Sequence, residues 1–268
     1  MNESVLSVLA AQAPATIALV GAGRSWSSAE VLSEIDKLAA TLDASRVVAV
    51  LADNSPAWVI ADLASLHTGK VHLPLPGFFS PSQMAFVLDQ TAADTVLTDQ
   101  PERIGALDLG FAITGNWQGL TYMRRICVPV AIPAGTVKIS FTSGSTGTPK
   151  GVCLSADGLA DTARALHERL GDLPITRHLA VLPLALLLEN VAGVHAPLLR
   201  GAAIHLPPLP SVGWRGMAGF DPAALQATVS AVQPGSLILV PELLKAWSLL
   251  LGLSGQRAAA SLSYVAVG

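Results

Sequence analysis

Short apolar segments alternate with amphipathic helical segments along most of the chain, and this alternation limits the possible folds more than any other feature. The run 46–51 (RVVAVL) is continuous and rich in β-branched residues, which is typical of a strand buried on both faces of a parallel sheet. Parallel neighbours need crossover connections, and these are usually helices. The alternation therefore predicts an α/β fold with mainly parallel sheets.

The first well-marked helix is predicted to begin at Ser27-Ser28-Ala29-Glu30. This segment has the pattern of a capping box, in which a hydroxyl and a carboxylate each bind a free N–H group. Later helices are predicted at 56–68, 81–90, 156–171, 190–199, 222–232 and 241–251. Strands are predicted at 46–51, 71–75, 95–98, 136–141, 178–182, 202–206, 236–240 and 263–267. The segment 99–133 has the least regular pattern.

Charged residues are scarce in this sequence of 268 residues. They make up 13% of it, against about 25% in an average soluble domain, while 51% of the residues are hydrophobic. This composition indicates extensive buried surface, or a surface that a partner covers. The net charge of −3 gives no reason to expect binding to nucleic acid or to an anionic membrane surface.

Two cysteines, Cys127 and Cys153, form neither a disulfide framework nor a zinc-ligand set, which fits a reducing compartment such as the cytoplasm. The six histidines show no ligand spacing, so no metal site is predicted. The apolar stretch 179–199 is interrupted by Glu189 and Asn190, so no membrane-spanning helix is predicted. The first residues lack a positive segment and are interpreted as a helix rather than a signal peptide.

The segment 139–155 (ISFTSGSTGTPKGVCLS) carries the clearest chemical signal. Glycines allow successive N–H groups to converge on an anion, hydroxyls add donors, and Lys150 adds a positive charge. The segment follows a buried-type strand, where α/β proteins bind ligands. A flexible Ser/Gly surface loop would have a similar composition. Because Lys150 lies between Pro149 and Gly151, the segment is not a Walker loop, and phosphate binding of another type is the favoured interpretation.

The stretch FTSGSTGTPKG resembles the glycine-rich signature of the adenylate-forming (AMP-binding) enzymes, which include acyl-CoA synthetases, firefly luciferase and peptide-synthetase adenylation domains. Further blocks resemble this family in the same order: RSWSSAEVLSEIDKLAATL, LADNSPAWVIADLASLHTGKVHLPL, LPLALLLENVAGVHAPLLRGAAIHLP, VPELLKAW and SLSYVAVG. The resemblance implies two stacked, mainly parallel sheets with flanking helices, as in a truncated form of the family's large N-terminal domain. Residues 46–175 would form one subdomain, and residues 1–45 with 176–268 the other.

The resemblance also implies a reaction, in which a carboxylate and MgATP give an acyl-adenylate and pyrophosphate. The acyl group then passes to coenzyme A or to the phosphopantetheine of an acyl carrier protein. Because the substrate carboxylate is the nucleophile, no catalytic side chain is assigned in this chain. The residues implied to hold the ATP phosphates are Thr142, Ser143, Gly144, Ser145, Thr146, Gly147 and Lys150.

The resemblance gives a second set of residues as candidates for the acyl pocket: Leu186, Leu187, Glu189, Asn190, Gly193 and Gly268. The leucines at 186–188 favour a fatty or other apolar acid as the substrate, or they are ordinary core residues. Glu189 and Asn190 have the alternative of a helix N-terminus, where acidic and amide side chains are favourable.

The sequence stops at Gly268, before the family's later segments for magnesium, ribose and the catalytic lysine. We therefore expect the N-terminal portion of a ligase that is inactive alone. The alternative is a non-catalytic nucleotide-binding or interaction module that retains the phosphate loop. A strand edge at 263–267 would be exposed, and exposed edges pair with other chains, so self-association is expected.

Overall fold

The computed structural model describes residues 4–142, 148–216 and 219–268. The chain divides into two compact units, the first comprising Met1–Leu32, Asn54–Pro56 and Ala160–Gly268, and the second Ser33–Asp53 and Ala57–Leu159. The division expected from the sequence had its boundaries at 45/46 and 175/176. The two divisions therefore differ over residues 33–45, which lie in the second unit, and over residues 54–56 and 160–175, which lie in the first.

Strands and helices alternate through most of the described residues. The strands are β1 Ile17–Gly21, β2 Arg24–Ser27, β3 Val47–Leu51, β4 Val71–Pro74, β5 Thr95–Thr98, β6 Ala112–Trp117, β7 Leu120–Arg124, β8 Thr136–Thr142, β9 Lys150–Ser155, β10 Arg177–Leu179, β11 Ala203–His205, β12 Ser236–Leu239 and β13 Tyr264–Val267. The α-helices are α1 Val5–Ala11, α2 Ser28–Thr41, α3 Pro56–His67, α4 Pro81–Gln90, α5 Pro101–Gly105, α6 Ala156–Leu170, α7 Ala196–Leu199, α8 Pro222–Val232 and α9 Pro241–Ser254. A π-helix spans Glu189–His195, and a 3₁₀ turn spans Leu209–Val212.

The first unit contains, in its described residues, a six-stranded sheet in the order β13-β12-β10-β11-β1-β2. Its neighbouring strands are parallel except for β1 and β2, which form an antiparallel pair. Strands β10 and β12 and helices α8 and α9 share a hydrophobic core that includes Leu179, Leu237, Val229 and Trp247. The ring nitrogen of Trp247 donates to Gln226 Oε1 at 2.8 Å, so this polar atom is satisfied inside the core.

The second unit contains, in its described residues, a seven-stranded sheet in the order β6-β7-β5-β3-β4-β8-β9. Its centre, β5-β3-β4-β8, is parallel, while β6, β7 and β9 pair antiparallel at the two sides. Strand β3 is buried along its whole length, as its β-branched sequence predicts. The predicted α/β class with two sheets is thus confirmed, with both sheets mixed.

Local sequence signals are realised at several helices. Ser27 N donates to Glu30 Oε2 at 2.8 Å, and Glu30 N donates to Ser27 Oγ at 3.3 Å, so the predicted capping box forms at the start of α2. Helices α4 and α8 have the predicted bounds, and both carry proline in the first turn, where its missing N–H costs no hydrogen bond.

The segment 99–133, which has the least regular sequence pattern, is partly regular in the structure. It contains α5 and the hairpin of β6 and β7, whose two-residue turn is Gln118-Gly119 with φ of 48° and 82°. Strand β9 was not predicted either. Both β6 and β9 lie at a sheet edge and are largely exposed, so they lack the apolar run that marks a buried strand. No helix within the described parts of the chain is both long and apolar enough to span a membrane.

Candidate functional site

The glycine-rich segment joins two antiparallel strands of the second unit. Strands β8 and β9 pair so that Thr142 lies opposite Lys150 and Phe141 lies opposite Gly151. Thr142 and Lys150 are both exposed, so a hydroxyl and an ammonium are available at the same end of the hairpin. The other predicted phosphate-binding residues, Ser143, Gly144, Ser145, Thr146 and Gly147, lie outside the described residues.

Gly151 makes room for an aromatic ring across this ladder. A Cβ atom at position 151 would lie 2.8 Å from Phe141 Cζ and 3.1 Å from Ile139 Cγ2. The neighbouring Pro149 is buried, which restrains the chain just before Lys150. The hairpin end that carries Lys150 is therefore held by packing as well as by the hydrogen bonds of the ladder.

A buried charged cluster lies on β8, before the hairpin loop. Lys138 Nζ lies 2.8 Å from Asp62 Oδ1 and 3.0 Å from Asp62 Oδ2, and both side chains are almost completely buried. His72 Nε2 is 3.6 Å from Asp62 Oδ1. The rings of His72 and Trp58 are in a T-shaped arrangement, with 5.3 Å between their centroids. Burial lowers the pKa of Lys138, and the Asp62 carboxylate opposes this shift.

Sequence reasoning missed this cluster. The available signal was a lysine inside the apolar strand TVKIS, because a buried charge requires a buried partner. The partner itself could not be found from the sequence, since Asp62 lies on α3 and is separated from Lys138 by 76 residues.

In the first unit, the backbone after β10 is held by side chains instead of a strand ladder. Leu182 N donates to Glu189 Oε2 at 3.0 Å. Asn54 Nδ2 donates to Leu182 O at 2.9 Å, and Leu184 N donates to Asn54 Oδ1 at 2.9 Å. Trp214 Nε1 donates to Val181 O at 2.7 Å. The segment that leads into the predicted acyl-pocket block is therefore fixed at Val181, Leu182 and Leu184.

Glu189 is completely buried, and its second carboxylate oxygen contacts a histidine. Oε1 lies 3.0 Å from His178 Nε2, and His178 Nδ1 lies 2.9 Å from Ser236 Oγ. His178 and Ser236 are partners in the parallel pairing of β10 with β12. The three residues form a serine–histidine–carboxylate chain inside the unit, with Ser236 only 4% exposed.

Three of the candidate pocket residues, Glu189, Asn190 and Gly193, lie in the π-helix. Glu189 and Asn190 are buried in the first turn of the π-helix, and the Glu189 carboxylate binds His178 and the Leu182 N–H. A Cβ atom on Gly193 would lie 2.8 Å from His178 Nε2 and still closer to Glu189 Oε1. Short π-helical segments often occur at functional sites.

The leucines differ in their exposure. Leu186 and Leu187 are partly buried, and Leu186 packs against the hydrophobic core of the first unit. Leu188 is 37% exposed and lies beside Gly268, where a Cβ atom would be 3.0 Å from Leu188 Cδ2. The structure thus brings together Leu188 with Gly268, and Gly193 with Glu189. Within the described ranges, no group of three or more His, Cys, Asp or Glu side chains could hold a metal ion.

Comparisons with known proteins agree with this architecture. The family model described as AMP-binding enzyme matches residues 6–268. Tyrocidine synthase 3 from Brevibacillus parabrevis is 27% identical over 248 residues, covering 87% of this chain and 4% of that protein. Hybrid PKS-NRPS synthetase pydA from Acremonium sp is 31% identical over 178 residues, covering 62% of this chain and 4% of that protein.

Solved structures resemble the fold over nearly the whole chain. The O-succinylbenzoate Coenzyme A Synthetase (MenE) from Bacillus subtilis, in complex with AMP, has a TM-score of 0.75 at 19% identity, covering 99% of this chain and 53% of that one. ATP-bound MatB from Rhodopseudomonas palustris has a TM-score of 0.75 at 19% identity, covering 100% of this chain and 55% of that one. The chain spans about half the length of these solved relatives. The match to the family model over nearly all its residues shows that the chain belongs to the AMP-binding, adenylate-forming enzymes.

Proposed function

We propose that the protein containing this chain activates a carboxylic acid with ATP, and that the hairpin loop after β8 holds the β- and γ-phosphates. The observation that carries the proposal is the pairing of Thr142 with Lys150, which presents a hydroxyl and an ammonium at one exposed hairpin end in a chain of this family. Polyphosphate oxygens are suitable acceptors for both groups. Ser143, Gly144, Ser145, Thr146 and Gly147 complete the proposed loop.

The chemistry needs no nucleophile from the chain. A carboxylate oxygen of the acid forms a bond to the α-phosphorus, while the bond from that phosphorus to the oxygen bridging to the β-phosphate breaks. The bridging oxygen leaves with the electron pair as part of pyrophosphate. Negative charge therefore grows on the leaving group, and Lys150 with the loop donors stabilises it.

The acid is proposed to be apolar, with a fatty acid as one member of the class. Support comes from the leucines at 186–188, of which Leu188 is partly exposed beside Gly268. Transfer of the acyl group to a thiol would follow. One solved structure is named as a Coenzyme A Synthetase and two relatives are named as nonribosomal peptide synthetases, so coenzyme A and carrier-protein phosphopantetheine are both proposed acceptors. A reducing compartment, the cytoplasm, is proposed for the protein.

The proposal is tested by acid-dependent exchange of pyrophosphate into ATP, using the protein that contains this chain and a panel of fatty, aromatic and amino acids. Lys150→Ala should lower the exchange rate by about 10²–10³-fold, which is the effect of removing one preorganised donor. Lys245→Ala replaces an exposed lysine of α9 and serves as the control, with an unchanged rate expected.

Two results would contradict the proposal. Unchanged exchange in Lys150→Ala would remove the lysine from the phosphate site. Binding of ATP without exchange for any acid would support the alternative, a nucleotide-binding module without catalysis. Because the chain spans 53% of the MenE chain, we expect the isolated 268 residues to show little exchange.

A further inference from the structure

The irregular backbone after β10 depends on side chains for its hydrogen bonds. A buried N–H or C=O group without a partner costs free energy, so such groups are almost always satisfied. At residues 181–184 the partners are Trp214 for Val181 O, Asn54 for Leu182 O and Leu184 N, and Glu189 for Leu182 N. These side chains come from different parts of the first unit and meet at one short segment.

Glu189 directs both of its carboxylate oxygens into the protein. Oε2 accepts from Leu182 N, and Oε1 meets the imidazole of His178, which in turn meets Ser236. Glu189 has no exposed surface. No ligand can reach either oxygen unless this arrangement opens.

A nucleophilic role for the serine–histidine–carboxylate chain does not fit the geometry. Ser236 lies on β12 and is only 4% exposed, so its hydroxyl cannot contact a substrate. Gly193 lies against the pair, and a Cβ atom there would overlap with Glu189 Oε1 and His178 Nε2. The absence of a side chain at position 193 therefore makes space for the buried pair.

We propose that Glu189 is a positioning residue of the acyl-binding segment and does not itself contact the acid. Together with Asn54, it fixes the backbone at 182–184, and this fixes where Leu186, Leu187 and Leu188 lie. Gly193 serves the same purpose by leaving space for the Glu189–His178 pair. This inference rests on the proposed function for its acid-binding part, and on the hydrogen bonds alone for its positioning part.

The protonation of His178 gives a specific signature of this arrangement. An ionised Glu189 accepts hydrogen bonds only, so a neutral His178 carries its hydrogen on Nε2 and accepts from Ser236 through Nδ1. In Glu189→Gln, the amide oxygen can still accept from Leu182 N while the amide nitrogen donates to His178 Nε2. The histidine hydrogen must then move to Nδ1, from which it donates to Ser236 Oγ. Nitrogen-15 NMR of the imidazole should therefore show a change of tautomer in this variant.

Glu189→Leu removes every acceptor at this position. Hydrogen exchange of the Leu182 amide should accelerate by about 10- to 100-fold, as expected for the loss of a hydrogen bond to a charged group. The Leu184 amide, bound by Asn54, should change less. Glu242→Leu, at an exposed position of α9, is the matched control and should leave the Leu182 amide unchanged.

The catalytic part is tested by exchange kinetics of the protein that contains this chain. Glu189→Leu should raise KM for the acid about tenfold or more while KM for ATP stays nearly constant, and Glu189→Gln should restore acid binding. The inference would be overturned if Glu189→Leu changed the KM values for the acid and for ATP equally. It would also be overturned if Glu189→Gln impaired acid binding as much as Glu189→Leu and left the His178 tautomer unchanged. If Glu189→Leu fails to fold, the tautomer in Glu189→Gln decides alone.

The two proposals fail in different ways. Exchange that is absent in the unmodified protein with every acid would refute the proposed function, while the NMR and amide-exchange results would still decide the positioning role. Normal exchange in the unmodified protein, with an unchanged Leu182 amide and an unchanged KM for the acid in Glu189→Leu, would refute the inference alone.

Discussion

Replacement of Lys138 by methionine tests the energetic role of the buried cluster on β8. The lysine lies 2.8 Å and 3.0 Å from the two Asp62 oxygens, and both side chains are at most 1% exposed. At an effective dielectric constant of about 20, unit charges about 3 Å apart attract by about 5.5 kcal/mol, which offsets the cost of removing both from water. Loss of one partner removes this attraction from a charge that stays buried, at a cost of about 3–5 kcal/mol.

This cost is large beside the total stability of a domain, which is about 5–15 kcal/mol. Urea unfolding followed by tryptophan fluorescence should therefore show a clearly lower midpoint for Lys138→Met. Removal of both charges, in Asp62→Leu with Lys138→Met, should be neutral or stabilising by about 1–4 kcal/mol. The control is Lys37→Met, whose lysine is 65% exposed and pairs with Glu34, and which should cost about 0.2–1 kcal/mol.

A cost below about 1 kcal/mol for Lys138→Met, or a double variant no more stable than the single one, would contradict the energetic role of the buried pair.

Further predictions concern a helix cap, a histidine and a strand edge. Ser80 Oγ accepts from Gln83 N at 3.2 Å in the capping box of α4, and Ser80→Ala removes this acceptor. The variant should lower the free energy of unfolding by about 1 kcal/mol in a urea titration, and an unchanged midpoint would contradict this. Burial, assisted by Arg177 and His178, lowers the pKa of His205, so the unfolded chain binds the proton more readily and stability should fall as the pH drops below about 6.5. His205→Asn should lose this dependence, and parallel pH profiles of the two proteins would argue against it. Strand β13 lies at the edge of its sheet, with Val267 48% exposed, so the 268-residue chain should self-associate in light scattering at high concentration, whereas a clean monomer would exclude edge pairing.

The parts of the fold that the sequence predicted are those with strong local signals. Strand β3 is a continuous β-branched run, and α4 begins with a serine cap followed by proline, so each could be located from a short window. Strands β6 and β9 are exposed edge strands. Strand β6 contains Thr, Gly and Asn, and β9 begins with Lys and Gly, so neither is a continuous apolar run. Their pairing is set by the neighbouring strand, which a local pattern does not contain.

The candidate site likewise has a part that the sequence predicted and a part that it did not. The loop around Lys150 was found because its residues are contiguous and chemically distinctive. The contacts that fix the acyl-pocket block join residues far apart, since Asn54 and Leu182 are separated by 128 positions and His178 and Ser236 by 58. Neither a histidine at the start of a strand nor an asparagine after one indicates its partner. Only the folded backbone shows that these groups meet.

Two kinds of glycine can be told apart by a compensating substitution. At Gly151 a Cβ atom would meet the ring of Phe141 at 2.8 Å, and its φ does not lie in the left-handed region. Gly119 has the opposite properties, with φ of 82° and no atom within 4 Å of a Cβ. Gly151 is therefore needed for space, and Gly119 for its backbone conformation.

The two alanine variants should respond differently to a smaller neighbour. Gly119→Ala should cost about 1–2 kcal/mol, the penalty of the left-handed conformation, and no neighbouring substitution should recover it. Gly151→Ala should destabilise the hairpin and weaken ATP binding, while Phe141→Leu in the same chain should restore part of both losses, because the smaller side chain vacates the position that the methyl group takes. Gly77→Ala, where a Cβ has open space, is the control. Phe141→Leu could instead lower the stability of the Gly151→Ala variant by as much as it lowers that of the unmodified protein. The two losses would then be additive, and the Phe141 ring would not be the reason for a glycine at position 151.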